Sequence, residues 1–170
     1  MMNLSKKDRV FLINQYEILK SLNHDSASHY EELIEILQNG YEIFYSEFEE
    51  WISDDMPSEK CRLVLDILTF YRSVEDYKRK NTDDKEIEGH LWSNFKGFDG
   101  NNESEYFLFT QFLIEKQKKF SEQLAYQKQT DNYNSHMPTL QKYQNMIQKW
   151  KELGEKYETS KDNIIEILNA

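Results

Sequence analysis

A chain of 170 residues with 38% hydrophobic and 14% aromatic side chains, five glycines and two prolines is long enough to bury a core unaided. That composition excludes disorder, collagen and a turn-rich β architecture. Its net charge of -10 is concentrated early, since residues 1–60 hold 5 Lys and Arg against 13 Asp and Glu, with no basic residue between Lys20 and Lys60.

In chain order, the first predicted helix starts at Ser5, with Asp8 three residues on as its capping partner, and runs to about Leu22. Its apolar side is read as Val10, Ile13, Tyr16 and Leu19. A second helix, capped by Ser26 or Ser28, carries Tyr30, Leu33, Ile34, Leu37 and Tyr41, and Gly40 is placed to end it in a left-handed turn. From Tyr41 to Ile52 the pattern suits a strand or a helix; a short helix ending before Pro57 is the reading preferred.

Ser58 to about Lys80 is predicted as a helix apolar nearly all round, through Leu63, Val64, Leu65, Ile67, Leu68, Phe70, Tyr71 and Val74, and therefore central. Asn81–Glu88 reads as a polar connection, and His90–Phe98 as irregular or a single turn. Asn102 and Glu105 suggest a capping box for a second central helix through Lys119, rich in Tyr106, Phe107, Leu108, Phe109, Phe112, Leu113 and Ile114. Gln123–Met137 is polar and specifies no element. Pro138 opens a helix bearing Leu140, Tyr143, Ile147, Trp150 and Leu153, which Gly154 terminates, and Ser160 caps a last helix docked by Ile164, Ile167 and Leu168. The expected fold is all-α, a compact multihelical array of about six to eight helices around two central helices, forming one domain over residues 1–170.

Few residues carry recognisable chemistry. Asp99, Asn101, Glu103 and Glu105 alternate like the opening of a calcium loop, but Ser104 and Thr110 stand where that loop needs Gly and a bidentate Glu, so a turn entering a helix is the simpler explanation. The four histidines lack metal-ligand spacing, and no metal or cofactor is expected. The lone Cys61 precludes an internal disulfide and reads as a small apolar residue of a buried helix rather than a nucleophile. Arg62 and Asp66, four apart, are placed to pair on one face. No phosphate loop, nucleophile elbow or dinucleotide fingerprint occurs.

No membrane span or signal core is present, and a cytoplasmic location is expected. The acidic region repels phosphate backbones; nucleic-acid binding would require Lys78, Arg79, Lys80, Lys116, Lys118 and Lys119 to join in one patch.

A further set of residues carries a resemblance. Arg9 with Asn14, Gln15 and Tyr16; Tyr30 with Gly40 and Tyr41; Cys61, Arg62, Asp66, Ile67 and Tyr71; Phe95, Gly97, Phe98, Asp99, Glu103 and Tyr106; Pro138, Lys142, Tyr143, Gln144 and Trp150; and the closing Leu168, Asn169 and Ala170 together resemble the YfbU family of uncharacterised bacterial proteins. The segment Gln123–Tyr133 departs most from that pattern. The resemblance implies a multihelical fold in a bacterial cytosol and no particular reaction. Within it, Arg62, Asp66, Asp99 and Lys142 are the polar positions taken as a candidate shared binding site. The functional expectation is a non-enzymatic interaction or regulatory protein, acting through a protein partner or self-association at its acidic N-terminal surface. The alternative is a small-molecule-binding protein or enzyme with a site near Arg62, Asp66 and Asp99.

Overall fold

The computed structural model describes residues 3–170, and among these the fold is all-α, with seven α-helices joined by short 3-10 and π turns. The chain divides into two compact units, Met1–Asp55 and Met56–Ala170.

The N-terminal unit is a helical hairpin followed by a 3-10 segment. Helix α1 (Lys6–Leu22) has the predicted capping box: Ser5 Oγ accepts the Asp8 amide at 3.2 Å, and Asp8 Oδ2 accepts the Ser5 amide at 3.0 Å. Helix α2 (Ala27–Asn39) ends as expected at Gly40, whose φ of 72° is the left-handed C-cap conformation. The seam between them is Leu33, Ile36 and Leu37 against Leu12, Ile13 and Tyr16, with Tyr45 and Phe48 closing it.

The predicted apolar side of α1 needs correction, because Val10 and Leu19 are exposed. Steps of three residues each lag by about 60° around a helix, so Val10, Ile13, Tyr16 and Leu19 span half its circumference, and only the middle of that arc meets α2. After α2 the backbone forms a 3-10 segment, Glu42–Phe48, shorter and tighter than the helix expected up to Pro57. Its side chains split: Tyr45 and Phe48 are buried while Tyr41, Ile43, Phe44, Trp51 and Ile52 face outward.

In the larger unit, helix α3 (Ser58–Lys80) matches the predicted span and is central, with Val64, Ile67, Leu68, Phe70, Tyr71 and Val74 buried. After a one-turn helix α4 (Lys85–Glu88), helix α5 occupies only Ser104–Gln111, and a π-helical turn, Phe112–Lys116, follows where one helix to Lys119 was expected. Leu108 and Phe112 are exposed, so α5 buries one face only. Helix α5 still packs on α3, and α6 (Leu140–Glu152) joins it there as a further inner rod through Tyr143, Met146, Ile147 and Trp150. Helix α7 (Lys161–Asn169) begins at the predicted Ser160 cap and buries Ile164, Ile167 and Leu168 completely.

Gln123–Met137, opaque in sequence, is held by side chains rather than by periodicity. Tyr126 donates its hydroxyl to Glu75, Gln127 Nε2 donates to Glu115 Oε1 at 2.9 Å, and Gln111 Nε2 donates to the Asn132 carbonyl at 3.1 Å. Tyr133 is fully buried, and burial beside Glu115 pushes its phenol up to about 12.

Candidate functional site

Two concave surfaces stand out, one in each unit. The cleft of the larger unit arises where two irregular segments are clamped side by side. Phe98 donates its amide to the Tyr133 carbonyl and Ser135 donates to the Phe98 carbonyl, both at 3.0 Å. Gly97 makes that approach possible: with φ 81°, a Cβ there would lie 1.9 Å from the Tyr133 oxygen. The opposite segment is itself unusual, since Asp131, Asn132, Tyr133 and His136 all have positive φ, a conformation that costs non-glycine residues energy and must be held by surrounding contacts.

Gln111 and Thr130 hold that segment through the Asn132 carbonyl and the Tyr133 amide, and Glu103 fixes the start of α6 that follows it. Its carboxylate, 6% exposed, accepts the amides of Thr139 at 2.9 Å, Leu140 at 2.8 Å and Asp99 at 2.9 Å. It therefore caps α6 from another element, because Thr139 at the N-cap position directs its own hydroxyl to the Gly97 carbonyl at 2.8 Å. The predicted Asn102/Glu105 capping box does not form. Asn102 donates to Asp99 Oδ2 at 2.5 Å, and Glu105 pairs with Lys60.

The resulting cleft is about 290 Å³ and is lined by Trp92, Lys96, Asp131, His136, Met137 and Thr139 among others. Lys96 gives its amide to the buried Tyr143 hydroxyl at 2.9 Å, and its ammonium has no hydrogen-bond or ion-pair partner among the described residues. His136 Nε2 lies 3.0 Å from Asp131 Oδ2.

The four residues singled out in sequence do not assemble around this cleft. Asp99 is buried beside it, where its carboxylate accepts Asn102 and the Asn101 amide at 2.9 Å; these donors, with His136 nearby, hold its pKa below the ordinary aspartate value. Lys142 stands behind the Trp92 wall, its ammonium 5.8 Å from the ring centroid, and burial lowers its pKa. Arg62 and Asp66 do not pair with each other: Arg62 is exposed and Asp66 accepts Lys151 at 3.0 Å. Lys151 lies nine residues beyond Lys142 on α6, roughly 13 Å along its axis. Spacing of four on one helix permits a pair, but the neighbouring helix supplied the nearer cation.

Sequence reasoning placed Glu103 in a turn entering a helix and missed Lys96, Asp131 and His136 as neighbours of a cleft. None sits in a spacing that marks it; the Gly97-Phe98-Asp99 turn, already singled out, was the available pointer. Among the described residues no group of three His, Cys, Asp or Glu gathers as a metal site. The three basic residues in the last turn of α3 are individually matched: Lys78 to Glu75 at 2.7 Å, Arg79 to Asp76, and Lys80 to Glu158 at 3.6 Å.

The second concavity belongs to the N-terminal unit. A groove of about 500 Å³ runs between Tyr16, Tyr30 and Leu33 on the helices and Glu47, Glu50 and Trp51 beyond them, with His29 on its edge. Its floor is aromatic, Tyr16 and Tyr30 stacking at 6.0 Å, and its rim is acidic. Around it, residues 23–55 carry ten acidic and no basic side chains. Val10, Phe11, Ile18, Leu19, Leu22, Tyr41, Ile43, Phe44, Trp51 and Ile52 are all exposed in this one unit, most of the large exposed apolar side chains described. The sequence showed the acidity; that so many apolar groups stay outside became visible only once the hairpin seam was known.

No helix among the described residues is long and apolar enough to cross a membrane. The YfbU domain matches residues 2–170. The UPF0304 protein MJECS11 of Methanocaldococcus jannaschii is 51% identical over 169 residues, covering 98% of this chain and 99% of its own length. Neither description names a reaction, ligand or partner. With an end-to-end domain match and a full-length relative at that identity, the chain belongs to the YfbU family.

Proposed function

We propose that this chain is a non-enzymatic interaction or regulatory protein of the cytoplasm whose N-terminal unit docks another protein. The observation that carries this reading is the coincidence, within one small unit, of an unpartnered apolar surface with an acidic field that no basic side chain relieves between residues 23 and 55. Soluble monomers rarely leave large contiguous apolar patches open, and those rimmed by charge are the usual protein contacts. The aromatic floor with Glu47 and Glu50 above it suits a Lys or Arg side chain carried on an apolar segment. The test is affinity capture with the native chain against variants neutralised at Glu31, Glu32 and Glu35 on α2 and at Glu47 and Glu50 on the groove. Loss of captured proteins from both sets supports the reading, and an unchanged set of partners refutes it.

A second reading is favoured by one observation, the unpaired Lys96 ammonium in a cleft walled by Trp92 and Met137. It supports binding of a small anion with a planar apolar body there, next to Asp99 but away from the Asp66–Lys151 pair. Calorimetric titration with small aromatic carboxylates, compared with Lys96→Ala, decides it: binding that disappears in the variant favours this reading, and no binding to either protein ends it.

A further inference from the structure

Resting on the docking role proposed for the N-terminal unit, we infer that its groove is a guanidinium site, which receives an arginine side chain that the partner carries on an apolar segment. The aromatic floor is in place before a ligand arrives. Tyr16 on α1 and Tyr30 on α2 stack at 6.0 Å with 25° between their planes, and Tyr16 also rests 6.0 Å from the buried Phe48. Contacts on two sides hold Tyr16, so little ordering cost falls on it at binding. Trp51 is different: it is 81% exposed and stacks on no other ring among the described residues, which leaves its indole open to a ligand. Glu47, Glu50 and Trp51 are presented by one hydrogen-bonded turn, in which the Glu49 and Glu50 amides donate to the Ser46 carbonyl at 3.1 Å and the Ile52 amide donates to the Glu49 carbonyl at 2.8 Å.

The charge of the groove is uncompensated. Both carboxylates are exposed and enter no hydrogen bond or ion pair among the described residues, and no Lys or Arg lines the groove. The cations of α1 nearest the hairpin seam are used elsewhere: Arg9 donates to the Leu37 carbonyl at 3.0 Å, and Lys20 is matched to Glu17 at 2.9 Å and Glu31 at 3.9 Å. A cation from outside therefore meets two free acceptors. Its chemistry follows from the rings. An ammonium is a compact, strongly hydrated charge that gains little from an aromatic floor, and a divalent metal ion takes oxygen ligands alone. A guanidinium is planar and weakly hydrated, so its face lies on an aromatic ring while its edge still aims N–H groups at carboxylates. Aromatic floor and carboxylate rim are thus used together by one group. Leu33, one helical turn from Tyr30, gives apolar surface to the methylene stem, and at about 500 Å³ the groove is larger than one side chain, leaving room for apolar residues on either side of the arginine.

The test titrates the full chain with a capped tripeptide, arginine between two leucines, and follows the indole N–H signals of its three tryptophans by heteronuclear NMR. Trp51→Phe identifies the Trp51 signal. That signal is expected to shift saturably while those of Trp92 and Trp150, both in the larger unit, stay in place. The same peptide with lysine should bind at least about fivefold more weakly, and the one with citrulline, which keeps the shape and loses the charge, at least about tenfold. A Glu47→Gln, Glu50→Gln double variant should bind the arginine peptide at least about tenfold more weakly, with unmoved Trp92 and Trp150 signals showing that it is folded. No saturable Trp51 shift up to about 10 mM peptide overturns the inference. So does lysine or citrulline binding as tightly as arginine, or affinity indifferent to loss of both carboxylates. If the peptide fails while the groove variants still lose captured proteins, the docking role stands with a partner of other chemistry; if neither responds, both fall.

Discussion

Replacing Glu103 tests whether one buried carboxylate holds the cleft of the larger unit together. Glu103→Ala leaves the amides of Asp99, Thr139 and Leu140 without acceptors, all at 2.8 to 2.9 Å in the native fold. An orphaned buried donor costs about 1–3 kcal/mol, and water can reach part-buried Leu140, so the loss is about 3–5 kcal/mol. Against a typical stability of about 5–15 kcal/mol that is a large fraction. Glu103→Gln keeps the shape but offers one acceptor oxygen and turns an NH2 toward at least one amide, at a cost of about 2–3 kcal/mol. The assay is equilibrium urea unfolding followed by circular dichroism, with slopes compared so that midpoint shifts report stability alone. Glu105→Ala is the control. Two residues away, half exposed and paired with Lys60, it should shift stability by about 1 kcal/mol or less. A Glu103→Ala protein within about 1 kcal/mol of native would refute the assignment of this carboxylate as the cap of α6.

Gly97→Ala should destabilise by about 3 kcal/mol or more, since a Cβ at positive φ would sit on the Tyr133 carbonyl, and a melting temperature close to native would contradict the close approach. Asp99 has its pKa depressed in the fold, so its contribution is complete above the unfolded value of about 3.9 and is lost as pH falls through the folded one. Asp99→Asn should accordingly lose less stability than native between pH 6 and pH 3, measured as urea midpoints, and equal losses would remove this role. Residues 1–170 are expected to unfold as one cooperative domain; tryptophan fluorescence and circular dichroism should give coincident urea transitions, whereas two separated transitions would assign the two units independent stabilities.

What could be read from the residues depended on whether a signal was local. The Ser5–Asp8 box, the Gly40 and Gly154 ends, the Ser160 cap and the span of α3 each involve groups within a few positions, and all stand where expected. Asn102 failed as a cap for the complementary reason: Asp99 offered it a better acceptor, and Glu103, one place along, had amides 36 and 37 residues away to satisfy. Candidate-site residues fared likewise. Arg62 and Asp66 have a pairing interval, yet Asp66 meets Lys151, while Lys96 and His136 share a cleft without sharing any motif.

Hydrophobic periodicity, low glycine and proline content and local caps were thus enough to determine an all-α chain and its main helices, because those signals act over a few positions along the backbone, and composition alone set the acidity of its first sixty residues. Tertiary structure alone decided that α6 joins α5 beside α3, that Gln123–Met137 is pinned by distant side chains, and that α1 leaves Phe11, Ile18 and Leu22 uncovered. Those outcomes turn on which of several chemically acceptable partners comes within reach. Only packing in three dimensions selects among them.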